Sequence, residues 1–308
     1  MKTHRDLLSL ADLSPSDIER LLDLAARLKR HRAGNQRLRG RVLALLFQKP
    51  SMRTRVAFEV GMHQLGGTAI YLGPDDLPLG KREPTKDVAR VLARYVDVIV
   101  ARTFAHADVE ELAQYADVPV INGLSDLHHP CQALADLLTI REIYGRLRGI
   151  TLAYIGDGNN VLHSLLEAAS RVGMHVQMAV PRGYEPNRNI WNDAAAWGRK
   201  TGARLRASHD PIQAARHADV LYTDVWTSMG QEHERSRRLR TFRGFQINDA
   251  LLRAAKSRCR VLHCLPAHRG EEITDAVMEG PRAAVFDQAE NRLHVHKAIL
   301  VDLLTRRS

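Results

Sequence analysis

The chain has 308 residues, 44% of them hydrophobic, and a formal net charge of +10. That length accommodates two domains of ordinary size, and that composition excludes a disordered chain. No run of 18 or more apolar residues occurs, which argues against a membrane-spanning helix. Aromatic residues make up only 5% and interleave with no basic block, which argues against a nucleic-acid partner.

The basic excess is arginine, since only eight of the 45 basic residues are lysine. It reads either as a solvated surface or as a site for an anion. Cys131, Cys259 and Cys264 make no disulfide framework. With no disulfide framework a reducing cytoplasm is the expected location, and the opening MKTHRDLLSLADLS contains no secretory apolar region.

In chain order, residues 15–31 form an amphipathic stretch with Ser14 placed as its N-cap. Short apolar runs at 42–47, 69–72, 97–101 and 119–122 then alternate with helical patterns at 53–65, 84–95 and 108–116. Pro84 suits a first helical turn, where a missing N–H is harmless. Residues 131–145 predict a connecting helix. A second series of strands follows at 150–156, 175–180, 204–207, 219–225 and 260–265, with helices at 161–171, 188–200, 211–217 and 248–256. A last helix is predicted over 288–305, with Leu293, Ala298, Leu300 and Leu303 as its buried positions.

This alternation predicts an α/β chain of two domains, each a parallel β-sheet flanked by helices, joined by bridging helices. The expected boundaries are 1–140, 141–287 and a C-terminal helix at 288–308 that packs back on the first domain. In open α/β sheets ligands sit beyond the carboxyl ends of the strands. The unusual residues of this sequence gather at those ends.

The stretch FQKPSMRTR (47–55) ends the first strand and opens a helix. Ser51 is placed to cap that helix, and the outward N–H groups and dipole of a helix start favour an anion. Arg53 and Arg55 add planar forks matched to phosphate oxygens, and Thr54 adds a hydroxyl. The physical reading is a phosphate cradle, against the plainer one of a capped helix with surface arginines. Arg102 follows another strand, and His129, Pro130, Cys131 and Gln132 form HPCQ at the start of a helix. An imidazole there can donate to a carbonyl oxygen.

GDGNN (156–160) follows a strand but lacks the G-x-G-x-x-G spacing, so a dinucleotide site is not expected. DVWTSMG (224–230) offers Asp224 to an ammonium group and Ser228 and the Met229 backbone to the rest of an amino acid. In HCLPAHRGEEI (263–273) Cys264 reads either as a small buried hydrophobe or as part of a site. A metal held by Cys264, His263 and His268 is conceivable, but no second pair has zinc-like spacing, and no metal is expected.

Taken together, these residues resemble the aspartate/ornithine carbamoyltransferase family, and its ornithine branch in particular. The resemblance rests on Ser51–Thr54 with Arg55, on His129, Pro130 and Gln132, on Asp224–Gly230, on His263–Pro266 and on FDQAENR (286–292). It implies transfer of the carbamoyl group of carbamoyl phosphate to L-ornithine, giving L-citrulline, without a cofactor, by a homotrimer or an assembly of trimers. Other acceptors, aspartate or putrescine, remain the alternative. It further implies that Ser51, Met52, Arg53 and Thr54 hold the phosphate, Met52 through its N–H. Arg102, His129, Pro130, Cys131 and Gln132 are implied around the carbamoyl group, with Cys264, Leu265 and Arg292 completing that pocket. Asn160, Asp224, Ser228 and Met229 are implied to hold ornithine. Arg53, Arg102, His129 and Cys264 are the expected catalytic residues, and 226–245 is the expected lid. The chain departs from the family at Pro78, where a Gln or His is usual. Lys81 or Lys86 is the expected substitute for its contact.

Overall fold

The computed structural model describes residues 4–31, 36–77, 79–80, 83–228 and 230–305. The departures and substitutes expected at Pro78 and Lys81, and the site residue Met229, lie outside the described residues. The chain divides into two compact units, Met1–Leu138 with Glu290–Ser308, and Thr139–Ala289.

The first unit contains α1 (Pro15–Arg30), β1 (Val42–Phe47), α2 (Met52–Gln64), β2 (Thr68–Leu72), α3 (Thr85–Leu92), β3 (Val98–Arg102), α4 (His106–Tyr115) and β4 (Val120–Leu124). Its four strands are all parallel, in the order β2-β1-β3-β4. Strands β1 and β3 are central, and their near-continuous apolar runs bury both faces, as a covered parallel sheet requires. The strand order reverses at β1 and β3, so a ligand crevice belongs beyond Phe47 and Arg102. A register shift between Ala101 and Arg102 on the β4 side marks that strand end, the kind of irregularity that re-aims a side chain.

Helix α5 (Pro130–Tyr144) leads into the second unit. That unit holds β5 (Thr151–Ile155), α6 (Asn160–Val172), β6 (His175–Ala179), α7 (Arg188–Thr201), β7 (Leu205–Ser208), α8 (Pro211–Ala215) and β8 (Val220–Thr223). It continues through α9 (Arg235–Thr241), α10 (Asp249–Ala254), β9 (Arg260–His263) and α11 (Asp275–Met278). The five strands are parallel in the order β7-β6-β5-β8-β9. Here the order reverses at β5 and β8, which places the corresponding crevice beyond Ile155 and Thr223. Helix α12 (Val285–Thr305) returns the chain to the first unit.

The helix ends follow from local chemistry. Ser14 and Asp17 form a capping box on α1, each side chain accepting the other residue's N–H at 3.1 Å. Asn159 caps α6 by accepting from the N–H groups of Val161 and Leu162 at 3.0 and 3.2 Å. Gly173 and Gly202 end α6 and α7 in the left-handed conformation, where a Cβ is disfavoured.

Three expectations need correction. Pro84 precedes the first turn of α3 instead of lying in it, and the helix stops at Leu92. In α12, Leu293 and Leu303 are only half-buried, whereas His294, His296 and Lys297 are buried. The amphipathic reading assumed one wet face. Lys297 is instead buried with its ammonium donating to Gln64 Oε1 at 2.9 Å and to the Leu28 carbonyl at 3.3 Å. The segment 226–245, the expected lid, has a solvated loop as its plainer reading, and that plainer reading is corrected: the segment contains helix α9 and buries Arg238.

Candidate active site

In the first unit the crevice is built on the start of α2. Ser51 is its N-cap, with Oγ accepting the Thr54 N–H at 3.3 Å. The remaining first-turn N–H groups, Met52 among them, point beyond the helix start. The Met52 side chain is 71% exposed, so any contribution to an anion site comes from its backbone. Arg53 is half-buried, and Thr54 is buried with its Oγ1 accepting from Arg292 Nη2 at 2.6 Å. Arg55, by contrast, is exposed. It pairs with Glu59 at 2.9 Å and stacks over the Tyr71 ring at 3.7 Å, so it serves the fold.

Arg102, His129, Gln132 and Arg292 are all buried in this unit. His129 immediately precedes α5, and its carbonyl accepts the Gln132 and Ala133 N–H groups. Pro130 is the first residue of that helix, where proline removes no intrahelical bond. The His129 imidazole is held well below its usual pKa by burial, then by Arg292, Arg102, His296 and Arg53. This residue is therefore neutral at pH 7. Three arginines separated by up to 239 positions thus surround one imidazole.

Gln132 donates through Nε2 to Asp136 Oδ1 at 2.8 Å, which fixes the amide. Its Oε1 is buried with no hydrogen-bond partner among the described residues, an acceptor suited to a small N–H donor. Cys131 is committed to the backbone. Its thiol donates to the Asn122 carbonyl at 3.5 Å, and burial pushes its pKa up to about 12. Lys49 is buried, 4.4 Å from the Phe104 ring centroid, and joins the same strand end. The sequence reading did not single it out.

In the second unit the crevice centres on Asp224. Asn159 Nδ2 donates to its Oδ2 at 2.8 Å, and the Cys264 thiol donates to its Oδ1 at 2.9 Å. Asn159 is itself fixed, with Oδ1 accepting from Tyr154 Oη at 3.1 Å as well as from the helix start. The carboxylate is thus oriented at both oxygens before any ligand arrives. Asn160 is the first residue of α6 and is half-buried, as is Ser228. The Ser228 N–H donates to Gln231 Oε1 at 3.3 Å, and its carbonyl accepts the Gln231 N–H at 3.0 Å.

The HCLP turn is held just as firmly. His263 Nδ1 accepts the Leu265 N–H at 2.8 Å, which places the proton on Nε2, 3.1 Å from Glu272 Oε1. Leu265 takes φ 58, a conformation that side chains rarely adopt. Ligand-capable atoms of Asp224, His263 and Cys264 lie within 4.8 Å of one another. Both His263 nitrogens are already used within the turn, so this donor set fits an oriented thiol and carboxylate better than a metal.

The family model described as Aspartate/ornithine carbamoyltransferase, carbamoyl-P binding domain, matches residues 5–142, and the Asp/Orn binding domain of the same family matches 148–303. The chain belongs to the aspartate/ornithine carbamoyltransferase family. Among curated members, it is 54% identical to the ornithine carbamoyltransferase of Anoxybacillus flavithermus, across 97% of this chain and 96% of that protein. It is 56% identical to that of Acidothermus cellulolyticus, across 97% and 96%. The solved structure of ornithine carbamoyltransferase from Pyrococcus furiosus superposes with a TM-score of 0.95 at 50% identity, covering 98% of each chain. The boundary between the two family models falls close to the first boundary between the compact units, but the second model also takes in residues 290–303, which pack with the first unit. The two strand-end crevices fall one in each matched domain.

Proposed function

We propose that the chain transfers the carbamoyl group of carbamoyl phosphate to the δ-amine of L-ornithine, releasing L-citrulline and phosphate. The observation that carries this reading is the set of arginines, Arg53 just after β1, Arg102 at the end of β3 and Arg292 on α12, whose charges act on a buried, neutral His129. A phosphate needs fixed cations and first-turn N–H groups, and Ser51, Met52, Arg53 and Thr54 supply them. A carbamoyl oxygen that gains charge needs neutral or cationic donors, and Arg102 and His129 supply those. Gln132 Oε1 is the acceptor for the carbamoyl amide.

The nitrogen attacks the carbonyl carbon as a neutral amine. The bond from that carbon to the bridging phosphate oxygen then breaks, and the electron pair leaves with phosphate. The ammonium form, with an ordinary pKa of about 10.4, must first release a proton. Asp224, oriented by Asn159 and Cys264, is the counter-ion for the α-ammonium, with Asn160 and Ser228 beside it and Met229 assigned by the resemblance alone. Cys264 is assigned to the neighbourhood of the attacking nitrogen, and no step draws on a metal or cofactor. Carbamoyl phosphate is a mixed anhydride with a good leaving group, so transfer to the amine is the downhill step, and the same site serves either direction of metabolism.

The homotrimer implied by the resemblance is supported by one face of the first unit. Val56 and Val60 follow Met52 at four-residue spacing on α2, and all three are exposed, as is Ile70 on the edge strand β2. No helix among the described residues is long and apolar enough to cross a membrane. A cytoplasmic location is proposed because Cys131, Cys259 and Cys264 are all buried free thiols, as suits a reducing compartment. The deciding assay measures ureido product from carbamoyl phosphate with ornithine, aspartate and putrescine in parallel. Product with ornithine alone supports the reading, and product only with another acceptor overturns it.

A further inference from the structure

A buried ion pair in the second unit has no part in the chemistry above. The stretch RSRRLRTFR (235–243) is rich in arginine, and Arg235, Arg237, Arg240 and Arg243 are exposed. Arg238 alone of these is buried. Its Nη1 donates both to Asp157 Oδ2 at 2.7 Å and to the Trp226 carbonyl at 2.9 Å. Its Nε donates to Glu234 Oε2 at 2.9 Å, which fixes the orientation of the guanidinium on its own helix. The ring centroids of Tyr184 and Phe242 lie 5.0 and 5.9 Å from the guanidinium carbon.

The two partners of Nη1 belong to the two strand-end loops at the reversal point of the second sheet. Asp157 lies two residues before Asn159, which orients the Asp224 carboxylate. Trp226 lies two residues after Asp224 and two before Ser228. One nitrogen therefore ties together the loops that follow β5 and β8. The β5 loop has little freedom of its own. A Cβ on Gly158 would stand 2.4 Å from the Tyr184 carbonyl, so the backbone there is pressed against the loop that carries one of the rings around Arg238.

We propose that Arg238 is a positioning residue for the amino-acid subsite, setting the spacing between Asn159–Asp224 on one side and Ser228 on the other. The inference rests on the proposed ornithine reading, since Asp224 and Ser228 are its ornithine contacts. Arg238 reaches no reacting atom; it acts through Asp157 and Trp226. A buried carboxylate that loses its cation is strongly disfavoured, so Asp157 and Arg238 stay together. The planar fork makes the bonds to Asp157, Trp226 and Glu234 at once, a geometry that a lysine ammonium cannot reproduce. Burial and the nearby Asp224 raise the pKa of Asp157, and Arg238 opposes that rise. The pair thus also keeps a second carboxyl committed away from the ammonium of the substrate.

The test compares Arg238→Met, Arg238→Lys, Asp157→Asn and the Asp157→Asn/Arg238→Met pair in the full-length protein. Ornithine KM, kcat, melting temperature and the Kd for carbamoyl phosphate by calorimetry are measured on each. Arg238→Met is expected to raise ornithine KM at least about 10-fold while kcat falls less than about 3-fold, since small misplacements of binding groups weigh heavily. Carbamoyl phosphate Kd is expected to stay within about 2-fold, and Arg238→Lys to recover part of the KM. The double variant is expected to lose less than the product of the single losses, because the two residues act as one unit. If Arg238→Met fails to fold, Asp157→Asn, which keeps a neutral acceptor, carries the same KM test. Unchanged ornithine KM in a folded variant overturns the proposal. So does equal loss of affinity for both substrates, which is what a merely structural role produces. If the unaltered protein makes no citrulline, the functional reading fails instead, and that outcome is visible before any variant is measured.

Discussion

Arg292 Nη2 donates to Thr54 Oγ1 at 2.6 Å across 238 positions of sequence. Thr54 stands in the first turn of α2 and Arg292 in α12, so this bond links the phosphate cradle to the helix that returns the chain to its first unit. Both residues are buried, and a bond from a charged donor in such a place contributes about 1.5–3 kcal/mol. Thr54→Val removes the acceptor and leaves the guanidinium without it. The KM for carbamoyl phosphate is expected to rise about 10-fold or more, with ornithine KM little changed. Initial-rate kinetics with each substrate varied in turn decide it, and an effect confined to ornithine contradicts the assignment.

Arg53 is half-buried and sits at the second position of α2, where its loss leaves the Ser51 cap intact. Arg53→Ala is therefore expected to abolish useful carbamoyl phosphate binding while the melting temperature moves only a few degrees. Removing one transition-state donor lowers rate by about 10²–10³-fold. Near-normal kcat/KM in the variant would refute the cradle.

The sequence disclosed those two residues because an apolar strand stops abruptly and hydrogen-bonding residues follow at once. The same contrast exposed Arg102 and Asp224. The resemblance points to Asn160, whereas the residue that holds Asp224 is Asn159, legible in the sequence as the helix cap two residues before Val161. Arg238 could not be distinguished from the exposed arginines around it, because only tertiary packing buries it. His296 and Lys297 were hidden for the same reason. Lys49 follows an apolar run like any charged residue after a strand, and its burial beside the Phe104 ring is set by tertiary packing.

Asp224 receives hydrogen bonds on both carboxylate oxygens, from Asn159 and Cys264. Asp224→Asn keeps the shape but removes the charge that an ammonium needs. It is expected to raise ornithine KM about 100-fold with carbamoyl phosphate affinity preserved, as a lost charged partner implies. Cys264→Ala removes one donor and leaves the carboxylate, so its ornithine KM is expected to rise less, about 10-fold. Calorimetric titration of carbamoyl phosphate into each variant checks the division, and weakening of that ligand alone would show that Asp224 belongs to the other subsite.

His129, His294 and His296 all lie in the first unit and all resist protonation. Burial is the leading cause at each, joined by Arg292 at His129 and His296 and by Lys297 at His294, whose pKa falls to about 4 despite Glu290 nearby. Unfolded, each returns to an ordinary value near 6.5. Below that pH the unfolded chain binds protons that the folded chain does not. Stability is therefore complete above about pH 6.5 and is lost as pH falls toward the folded values. Each histidine contributes a slope of up to about 1.4 kcal/mol per pH unit in that window, so the three together make a steep acid limb. Melting temperatures recorded from pH 7.5 to 5 are expected to fall sharply below 6.5. His296 stacks on Phe58 at 3.8 Å, and neither ring nitrogen has a hydrogen-bond partner among the described residues. His296→Gln is expected to make that limb shallower by about one proton, because it removes one of the three titrations. A slope that stays the same in this variant means that His296 already carries its proton in the folded protein.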